Sequence, residues 1–245
     1  MAPLRVLVTR PEADAGPLAE RLAAEGFDPV IEPLLRIRFR DEASPDLSGL
    51  AALAFTSANG VRALVHLAPE ARALKLPVFV VGPATAAAAR AAGFADVRSA
   101  DGDVAALANL VARELGRGGG PVVHVAGRER AGDLVGALAA EGLEARREVL
   151  YDAIAADSLS STLRAEIEAG AINVVLIFSP RTARLFVNLM ENSGLEARAR
   201  TMCLVALSPA VAEAAAPLPW GTVRIADAPR QDAALDALAG VRRED

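Results

Sequence analysis

The chain contains an internal repeat, in which the second half repeats the order of motifs in the first. The segment from Leu22 to Gly26, with the sequence LAAEG, recurs from Leu138 to Gly142 at an offset of 116 residues. The same offset superposes further pairs of identical residues, namely Val6 on Val122, Gly16 on Gly132, Leu18 on Leu134, Glu32 on Glu148 and Leu34 on Leu150. Because several blocks recur in the same order, chance is a poor explanation. The chain is predicted to hold two copies of one structural unit.

Each copy alternates short apolar runs with segments of helical spacing. Arg5 to Thr9 reads as a buried strand, and Leu18 and Leu22 share one face of a helix that Gly26 ends. Further along, the pattern predicts an extended segment at Val30 to Phe39, a helix at Gly132 to Ala140 and an extended segment at Ala145 to Ala155. Strands that alternate with helices favour parallel sheets covered on both faces, which is an α/β architecture.

The duplication bears on domain organisation. By itself it suggests two contiguous lobes, about 1–118 and 119–245. It leaves open an exchanged arrangement, in which the first strand, helix and strand of each copy pack with the rest of the other copy. Glu148 to Ala155, which holds the only tyrosine, and Leu34 to Phe39 are interpreted as two strands connecting the lobes. Two lobes predict a cleft lined by loops at the carboxyl ends of parallel strands.

Composition excludes several classes of protein. A net charge of −5 and an aromatic content of 4% argue against a nucleic-acid-binding protein. No apolar run approaches the roughly 18–20 residues needed to span a bilayer, and the N-terminus lacks a signal-peptide pattern. The single cysteine, Cys203, permits no internal disulfide, which fits a reducing compartment. The expected location is the cytoplasm, with no membrane partner.

The usual signatures of cofactor chemistry are absent from the sequence. No GxGxxG follows a predicted strand, and there is no Walker loop, GxSxG or CxxC. His66 and His124 are placed in a helix and a strand, which argues against a metal site. Cys203 and Trp220 are expected to be packing residues. Nothing in the sequence calls for a metal or an organic cofactor.

The polar residues that remain lie in loops before predicted helices. These loops are rich in Ser, Thr, Asn and Gly. Such residues commonly cap helices, and capping accounts for most of them. They are also suited to present backbone N–H groups and hydroxyls to an anionic ligand. Tyr151 is left open in the same way, as either a structural residue of a connecting strand or a proton donor.

Several of these motifs, taken together, resemble the uroporphyrinogen-III synthase family. The matching segments, in order along nearly the whole chain, are LVTRP at Leu7 to Pro11, FTSANGV at Phe55 to Val61, VGPATA at Val81 to Ala86, Gly127-Arg128 and the strand of Tyr151. The resemblance implies two α/β lobes joined by a two-stranded linker, with the exchanged connectivity. One lobe is expected to comprise 1–36 plus 156–245 and the other 40–150, with 37–39 and 151–155 as connecting strands.

The resemblance also implies a reaction. The expected substrate is hydroxymethylbilane, a linear tetrapyrrole polycarboxylate. It is expected to be cyclised to uroporphyrinogen III with loss of water and inversion of ring D through a spiro intermediate, without a cofactor. A cytoplasmic monomer with transient contact to hydroxymethylbilane synthase is expected. Tyr151 matches the family's tyrosine and is the candidate proton donor. The candidate substrate-binding residues are Arg10, Thr56, Ser57, Asn59, Gly60, Gly82, Thr85, Gly127, Arg128, Ser179, Arg181, Thr182 and Ser208.

The sequence departs from the family pattern at one loop. The family often has Gly-Pro-Thr-Thr where this chain has Ser208-Pro209-Ala210-Val211. Binding through that loop is therefore limited to backbone groups or Ser208. Two other functions are alternatives. A two-lobed anionic-ligand-binding protein without catalysis explains the duplication, but such proteins are usually exported. A nucleotide-sugar or dinucleotide enzyme lacks support because the glycine fingerprint is missing.

Overall fold

The computed structural model describes residues 2–129 and 132–241, and this part of the chain alternates strands and helices. The strands are β1 (Arg5–Val8), β2 (Asp28–Ile31), β3 (Leu35–Phe39), β4 (Ala52–Phe55), β5 (Val78–Val80), β6 (Val97–Ser99), β7 (Val122–Gly127), β8 (Ala145–Ala155), β9 (Val174–Ile177), β10 (Cys203–Ala206) and β11 (Thr222–Ile225). The helices are α1 (Glu12–Ala24), α2 (Ala58–Leu67), α3 (Pro83–Ala91), α4 (Val104–Leu115), α5 (Leu134–Ala140), α6 (Ser161–Glu168), α7 (Pro180–Asn192), α8 (Pro209–Ala215) and α9 (Gln231–Ala239). Short 3-10 helices at Pro69–Leu74 and Glu196–Thr201 were not predicted from the sequence.

The chain divides into two compact units. The first comprises Met1–Arg36 and Ile154–Asp245, and the second comprises Ile37–Ala153. The first unit is therefore discontinuous in sequence. The chain leaves it within β3 and returns to it within β8, and these two strands are neighbours in one sheet. No helix in the described ranges is both long enough and apolar enough to cross a bilayer.

The first unit is built on a parallel sheet with the strand order β11-β10-β9-β1-β2. Apolar side chains pack on both of its faces. Leu7 and Val175 lie in the cluster with α6, α7 and α8, whereas Val6 and Val8 lie in the cluster with α1 and α9. Adjacent residues of one strand point to opposite faces, so a strand that is buried throughout, such as β9, serves both clusters.

The second unit contains a sheet with the order β3-β8-β7-β4-β5-β6, which is parallel from β8 to β6. Strand β3 is added at its edge and runs antiparallel to β8. Main-chain hydrogen bonds flank this pair, from Arg40 N to Leu150 O and from Ala156 N to Leu34 O, each 2.9 Å long. Helices α2 and α3 cover one face of the sheet and α4 and α5 the other. The prediction of an α/β protein with parallel sheets is confirmed.

The repeated LAAEG segment forms the same helix ending in both copies. Gly26 and Gly142 have φ values of 80° and 79°, in the left-handed region that glycine tolerates. The next amide returns to the helix five residues earlier, from Phe27 N to Leu22 O and from Leu143 N to Leu138 O. Phe27 and Leu143 are both buried. This is a Schellman ending with its apolar contact, so the duplication preserves a helix stop.

Two predictions of secondary structure need correction. The segment from Val30 to Phe39 is not one extended run, because β2 ends at Ile31 and β3 begins at Leu35. Pro33 lacks an amide hydrogen for pairing, and the two strands belong to different sheets. The helix predicted from Gly132 begins at Leu134, because Gly132 has a φ of 93° and Asp133 is the N-cap, its carboxylate accepting from Gly136 N at 3.1 Å.

The two predicted packing residues are confirmed. Cys203 is buried in β10. Trp220 stacks on Phe186 with 6.0 Å between ring centroids, and its indole N–H donates to Ala215 O at 2.8 Å. The indole N–H is therefore satisfied where the ring is packed.

Candidate functional site

The candidate residues of the second unit lie after neighbouring strands at one edge of its sheet. Thr56 follows β4, Gly82 follows β5, and Gly127 and Arg128 close β7. Tyr151 lies in β8, beside β7. Since β7, β4 and β5 are parallel neighbours, their carboxyl ends share one edge. This edge is where ligands bind in open α/β sheets.

The loop between β4 and α2 begins a helix at this edge. Ser57 is its N-cap, and its hydroxyl oxygen accepts from Asn59 N at 3.2 Å. The side-chain oxygen of Asn59 accepts from Arg62 at 2.8 Å. Gly60 is required by close packing, because a Cβ there would lie 2.9 Å from the carbonyl oxygen of Val125. The loop thus carries out the capping role, and it brings the first turn of α2 against β7.

His124 lies beneath Thr56 on the adjacent strand. Its Nε2 is 3.2 Å from Thr56 Oγ1, and the residue is only 5% exposed. Burial lowers the pKa of His124 to about 4, and the positive charge of Arg147 acts in the same direction against the opposing charge of Asp133. The imidazole is therefore neutral at physiological pH. The buried imidazole thus fixes the position of the hydroxyl of half-buried Thr56.

Tyr151 is brought beside Gly127 by a β-bulge. The pairing of β7 with β8 advances from Ala126–Val149 to Gly127–Tyr151, so one residue of β8 has no counterpart. The bulge places Tyr151 in the same apolar cluster as Leu150, although adjacent strand residues normally face opposite sides. A Cβ at Gly127 would lie 2.7 Å from Tyr151 Cε2 and 2.8 Å from Cζ. Glycine at 127 is therefore what admits the ring, which leaves Tyr151 9% exposed.

An ion-pair cluster surrounds the next residue, Asp152. Its carboxylate accepts from Arg128 Nε at 2.6 Å and from Arg38 at 3.5 Å. The hydrogen bond from Arg128 lowers the pKa of Asp152, despite the opposing effect of burial. The charge of Arg128, the hydrogen bond from Arg38 and the charge of Arg40 lower it further. Asp152 therefore stays ionised and fixes the position of the Arg128 side chain. Because the Arg128 side chain is 64% exposed, its guanidinium is still accessible to a ligand.

A second arginine stabilises the end of β7. Arg147, from β8, donates to the carbonyl oxygens of Gly127 and Arg128, the latter at 2.8 Å. Its charge also reaches His124. Arg147 thus fixes the turn that leaves β7, and its charge adds to burial, the larger cause, in lowering the pKa of His124.

The loop between β5 and α3 is simpler. Gly82 is the N-cap of α3 in an extended conformation, and a Cβ there would meet no atom within 4 Å. Pro83 occupies the first turn of the helix, where no donor is lost to the hydrogen-bond pattern. Thr85 is buried. Gly82 is therefore not required by crowding within the described structure.

The candidate residues of the first unit lie at the carboxyl ends of β1, β9 and β10, which are neighbours in its own sheet. Ser179 caps α7, accepting from Thr182 N at 3.1 Å, and its hydroxyl lies 2.8 Å from that of Thr182. Arg181 stands between them in the first turn, half-buried. Ser208 is the N-cap of the seven-residue α8, and its side chain makes no capping hydrogen bond.

Arg10 is held by contacts within its own unit. Its guanidinium donates to Gln231 Oε1 at 2.7 Å, pairs with Asp14 at 3.2 Å, and stacks over Phe178 at 4.8 Å. The side chain is 18% exposed. These three contacts fix the position of Arg10 at the end of β1. Asp14 also neutralises part of its charge. Sequence reasoning gave no indication of the partner at 231.

Three residues near the candidate site of the second unit, namely Asp152, Arg38 and His124, were not predicted from the sequence to belong to it. Asp152 and Arg38 could have been found, because the alternation of arginines in β3 places Arg38 on one face of a strand expected to join the Tyr151 strand. His124 was considered only as a metal ligand. Within 2–129 and 132–241, no group of three or more His, Cys, Asp and Glu side chains is arranged to hold a metal ion.

Comparisons with known proteins agree on one family. A family model described as uroporphyrinogen-III synthase HemD matches residues 16–236. A Methanocaldococcus jannaschii protein, provisionally named uroporphyrinogen-III synthase, is 36% identical over 67 residues, which span 27% of this chain and 28% of that protein. The uroporphyrinogen-III synthetase of Helicobacter pylori 26695 aligns over 98% of this chain and 100% of its own, with 16% identity and a TM-score of 0.64. A mutant uroporphyrinogen III synthase of Thermus thermophilus aligns over 98% of both chains, with 17% identity and a TM-score of 0.57.

Proposed function

The chain belongs to the uroporphyrinogen-III synthase family, and we propose that it converts hydroxymethylbilane to uroporphyrinogen III in tetrapyrrole biosynthesis. The observation that carries this proposal is the family match over residues 16–236. The reaction expels the ring-A hydroxyl as water, inverts ring D through a spiro intermediate, and closes the macrocycle. The alternative of a binding protein without catalysis is not favoured by this match.

Control of geometry is the main demand of this reaction. Loss of the hydroxyl leaves an azafulvene, which closes on the free end of ring D and gives the symmetrical isomer unless it is guided. The protein has to hold the methylene carbon against the substituted carbon of ring D instead. Positioning of reacting groups supplies as much as about 7–11 kcal/mol in favourable cases. The binding residues are therefore as important as the proton donor.

The helix starts are the proposed carboxylate-binding groups. Helices α2 and α3 begin at one edge of the second unit's sheet, and α7 begins at the corresponding edge in the first unit. The first N–H groups of a helix have no partner within it, and the helix dipole favours an anion there. Thr56, Ser57, Asn59 and Gly60 act at α2 and Gly82 and Thr85 at α3, whereas Ser179, Arg181 and Thr182 act at α7. Ser208, the N-cap of α8, makes no capping hydrogen bond with its side chain within the described residues, and it is proposed to offer its hydroxyl.

The arginines provide the charged part of the proposed site. Arg128 has an exposed guanidinium whose position is fixed by Asp152, and a planar fork of this kind suits a carboxylate. Arg10 is already paired with Asp14, so it is proposed to contribute one donor rather than a full ion pair. Gly127 contributes indirectly, since it makes room for Tyr151.

Tyr151 is the proposed acid for departure of the hydroxyl group. Its ring is fixed against Gly127, and Arg128 N donates to its carbonyl oxygen at 2.9 Å. A fixed phenol gives the leaving oxygen a proton donor in one position, and such general-acid catalysis is worth about 10²–10⁴-fold. No metal or organic cofactor is part of the proposal.

The proposal includes the state of the protein in the cell. Two lobes are proposed, 1–36 with 156–245 and 40–150, connected by 37–39 and 151–155. A cytoplasmic monomer with transient contact to hydroxymethylbilane synthase is proposed, consistent with a single cysteine that is buried. Sedimentation of the purified protein alone tests the monomeric state, and sedimentation together with that synthase tests the contact.

A coupled assay tests the function. Hydroxymethylbilane is generated in situ, with and without the protein, and the oxidised porphyrins are resolved into isomers I and III. An excess of isomer III that disappears when the protein is heat-denatured supports the proposal. A product mixture that the protein leaves unchanged, even though the protein binds hydroxymethylbilane, supports the binding-protein alternative.

A further inference from the structure

His124 is a buried polar residue that the proposed reaction has not used. It lies in β7, where its backbone pairs with Ala54 of β4 and Arg147 of β8, in the middle of the sheet. Its nearest neighbours on that face belong to the apolar cluster of α4 and α5. An imidazole in such a position costs free energy unless its nitrogens are satisfied. Within 2–129 and 132–241, its ring makes one hydrogen bond, to Thr56 at 3.2 Å.

The second ring nitrogen indicates which tautomer His124 adopts. His124 Nδ1 is buried and has no hydrogen-bond partner among the residues that the structure describes. Because the ring is neutral, one nitrogen carries a hydrogen and the other a lone pair. If Nδ1 carried the hydrogen, a buried N–H would be unsatisfied, which is rarer in proteins than an unsatisfied acceptor. The environment therefore favours the tautomer in which Nε2 carries the hydrogen.

This tautomer determines the direction of the bond to Thr56. Nε2–H donates and Thr56 Oγ1 accepts, so the hydroxyl hydrogen of Thr56 is not donated to His124. Thr56 is half-buried at the end of β4, immediately before the N-cap Ser57 of α2. Its hydroxyl hydrogen can then be donated to an acceptor outside the sheet, where a carboxylate bound at the start of α2 would lie.

We propose that His124 is a positioning residue for substrate binding, which donates to Thr56 and thereby commits the Thr56 hydroxyl to act as a donor to a substrate carboxylate. This inference rests on the proposed function. It assigns His124 no contact with substrate. The buried imidazole is retained because it determines the direction of a hydrogen bond that an apolar residue would leave undetermined.

A double-mutant cycle tests the inference with hydroxymethylbilane as substrate. Thr56→Val and His124→Phe are each expected to raise KM about tenfold, since one hydrogen bond to a charged group is lost or weakened, with kcat within about twofold. In the double variant, the His124 change is expected to add nothing. His124→Gln places an amide N–H near the former Nε2 and is expected to restore most of the affinity, whereas the shorter His124→Asn is not.

Several outcomes would overturn the inference. One is a His124→Phe effect of full size in the Thr56→Val background, which indicates general damage to the fold; thermal unfolding of each variant measures that damage. Another is wild-type affinity in His124→Phe. Nitrogen-15 NMR of the wild-type protein determines which ring nitrogen of His124 carries the hydrogen, so this test does not depend on a variant of His124. The spectrum of His66→Gln shows which signals belong to the other of the two histidines. A hydrogen on Nε2 supports the inference, and a hydrogen on Nδ1 contradicts it. If the wild-type protein produces no excess of isomer III, the proposed function itself fails, whatever the tautomer.

Discussion

Tyr151 and Gly127 depend on each other at the level of single residues. The ring of Tyr151 occupies the space that a side chain at 127 would fill. The bulge in β8 that places this ring in the same apolar cluster as Leu150 could not be predicted from the sequence, since it depends on pairing between β7 and β8. The sequence did single out both residues, but for their match to a family pattern rather than for this contact.

Tyr151→Phe tests the role of the phenol. The variant keeps the ring and its packing but removes the proton donor, so kcat is expected to fall about 10²–10⁴-fold while the fold survives. Steady-state kinetics and thermal unfolding measure the two effects. Turnover near that of the wild-type protein would rule out Tyr151 as the acid.

Gly127→Ala is the matched variant that keeps the phenol but displaces it. The added methyl group would approach the ring to within 3 Å, so either the ring or β7 has to shift. Such overpacking costs about 1–3 kcal/mol of stability and is expected to lower kcat, because the donor moves out of position. Chemical denaturation and kinetics of the purified variant measure both. Unchanged stability and turnover together would show that the close approach is not needed.

His124 predicts a pH dependence of stability. Its pKa is about 4 in the folded protein against an ordinary value of 6.5. Below pH 6.5 the unfolded chain binds a proton that the folded protein does not, so the free energy of unfolding falls as pH drops from 6.5 towards 4. The full effect is about 3 kcal/mol. Across this range the free energy of unfolding of the wild-type protein should fall by that amount relative to that of His124→Phe, as measured by denaturation curves of both. A difference between the two proteins that stays constant from pH 6.5 to 4 would contradict a neutral buried imidazole.

The helix endings show what the repeat conserves at the level of elements. The pattern of LAAEG was enough to predict the ends of α1 and α5, and the Schellman bonds follow from a glycine in that place. The starts of the two helices were less predictable. Gly16 lies inside α1, whereas its counterpart Gly132 precedes α5 with a φ of 93°. The same residue in the repeat therefore adopts two conformations, which sequence alone does not distinguish.

Gly26→Ala and Gly142→Ala test the equivalence of the two helix endings. Both positions have φ near 80°, so each alanine is expected to lower the free energy of unfolding by a similar amount, about 1–2 kcal/mol. Gly82→Ala is the control for stability, since its backbone is extended and its surroundings are open. Equilibrium denaturation compares the three. A clear loss at 82 or none at 26 and 142 would contradict the assignment.

The architecture of the whole molecule was largely predictable, because it follows from periodicity. Alternating strands and helices indicated the α/β class, and the duplicated Leu18, Leu22, Leu134 and Leu138 are all buried. The partners of the polar residues were not predictable, since they are distant in sequence: Arg10 meets Gln231, and Thr56 meets His124. Sequence pattern locates loops at strand ends, whereas tertiary packing decides which of their groups are already occupied.

The direct test of the whole account is the isomer composition of the product as a function of protein concentration. Hydroxymethylbilane is supplied at a fixed rate, and the fraction of isomer III is measured at rising concentrations of the protein. The account predicts that this fraction rises from the spontaneous level until nearly all of the product is isomer III. A fraction that stays at the spontaneous level at every protein concentration would contradict it.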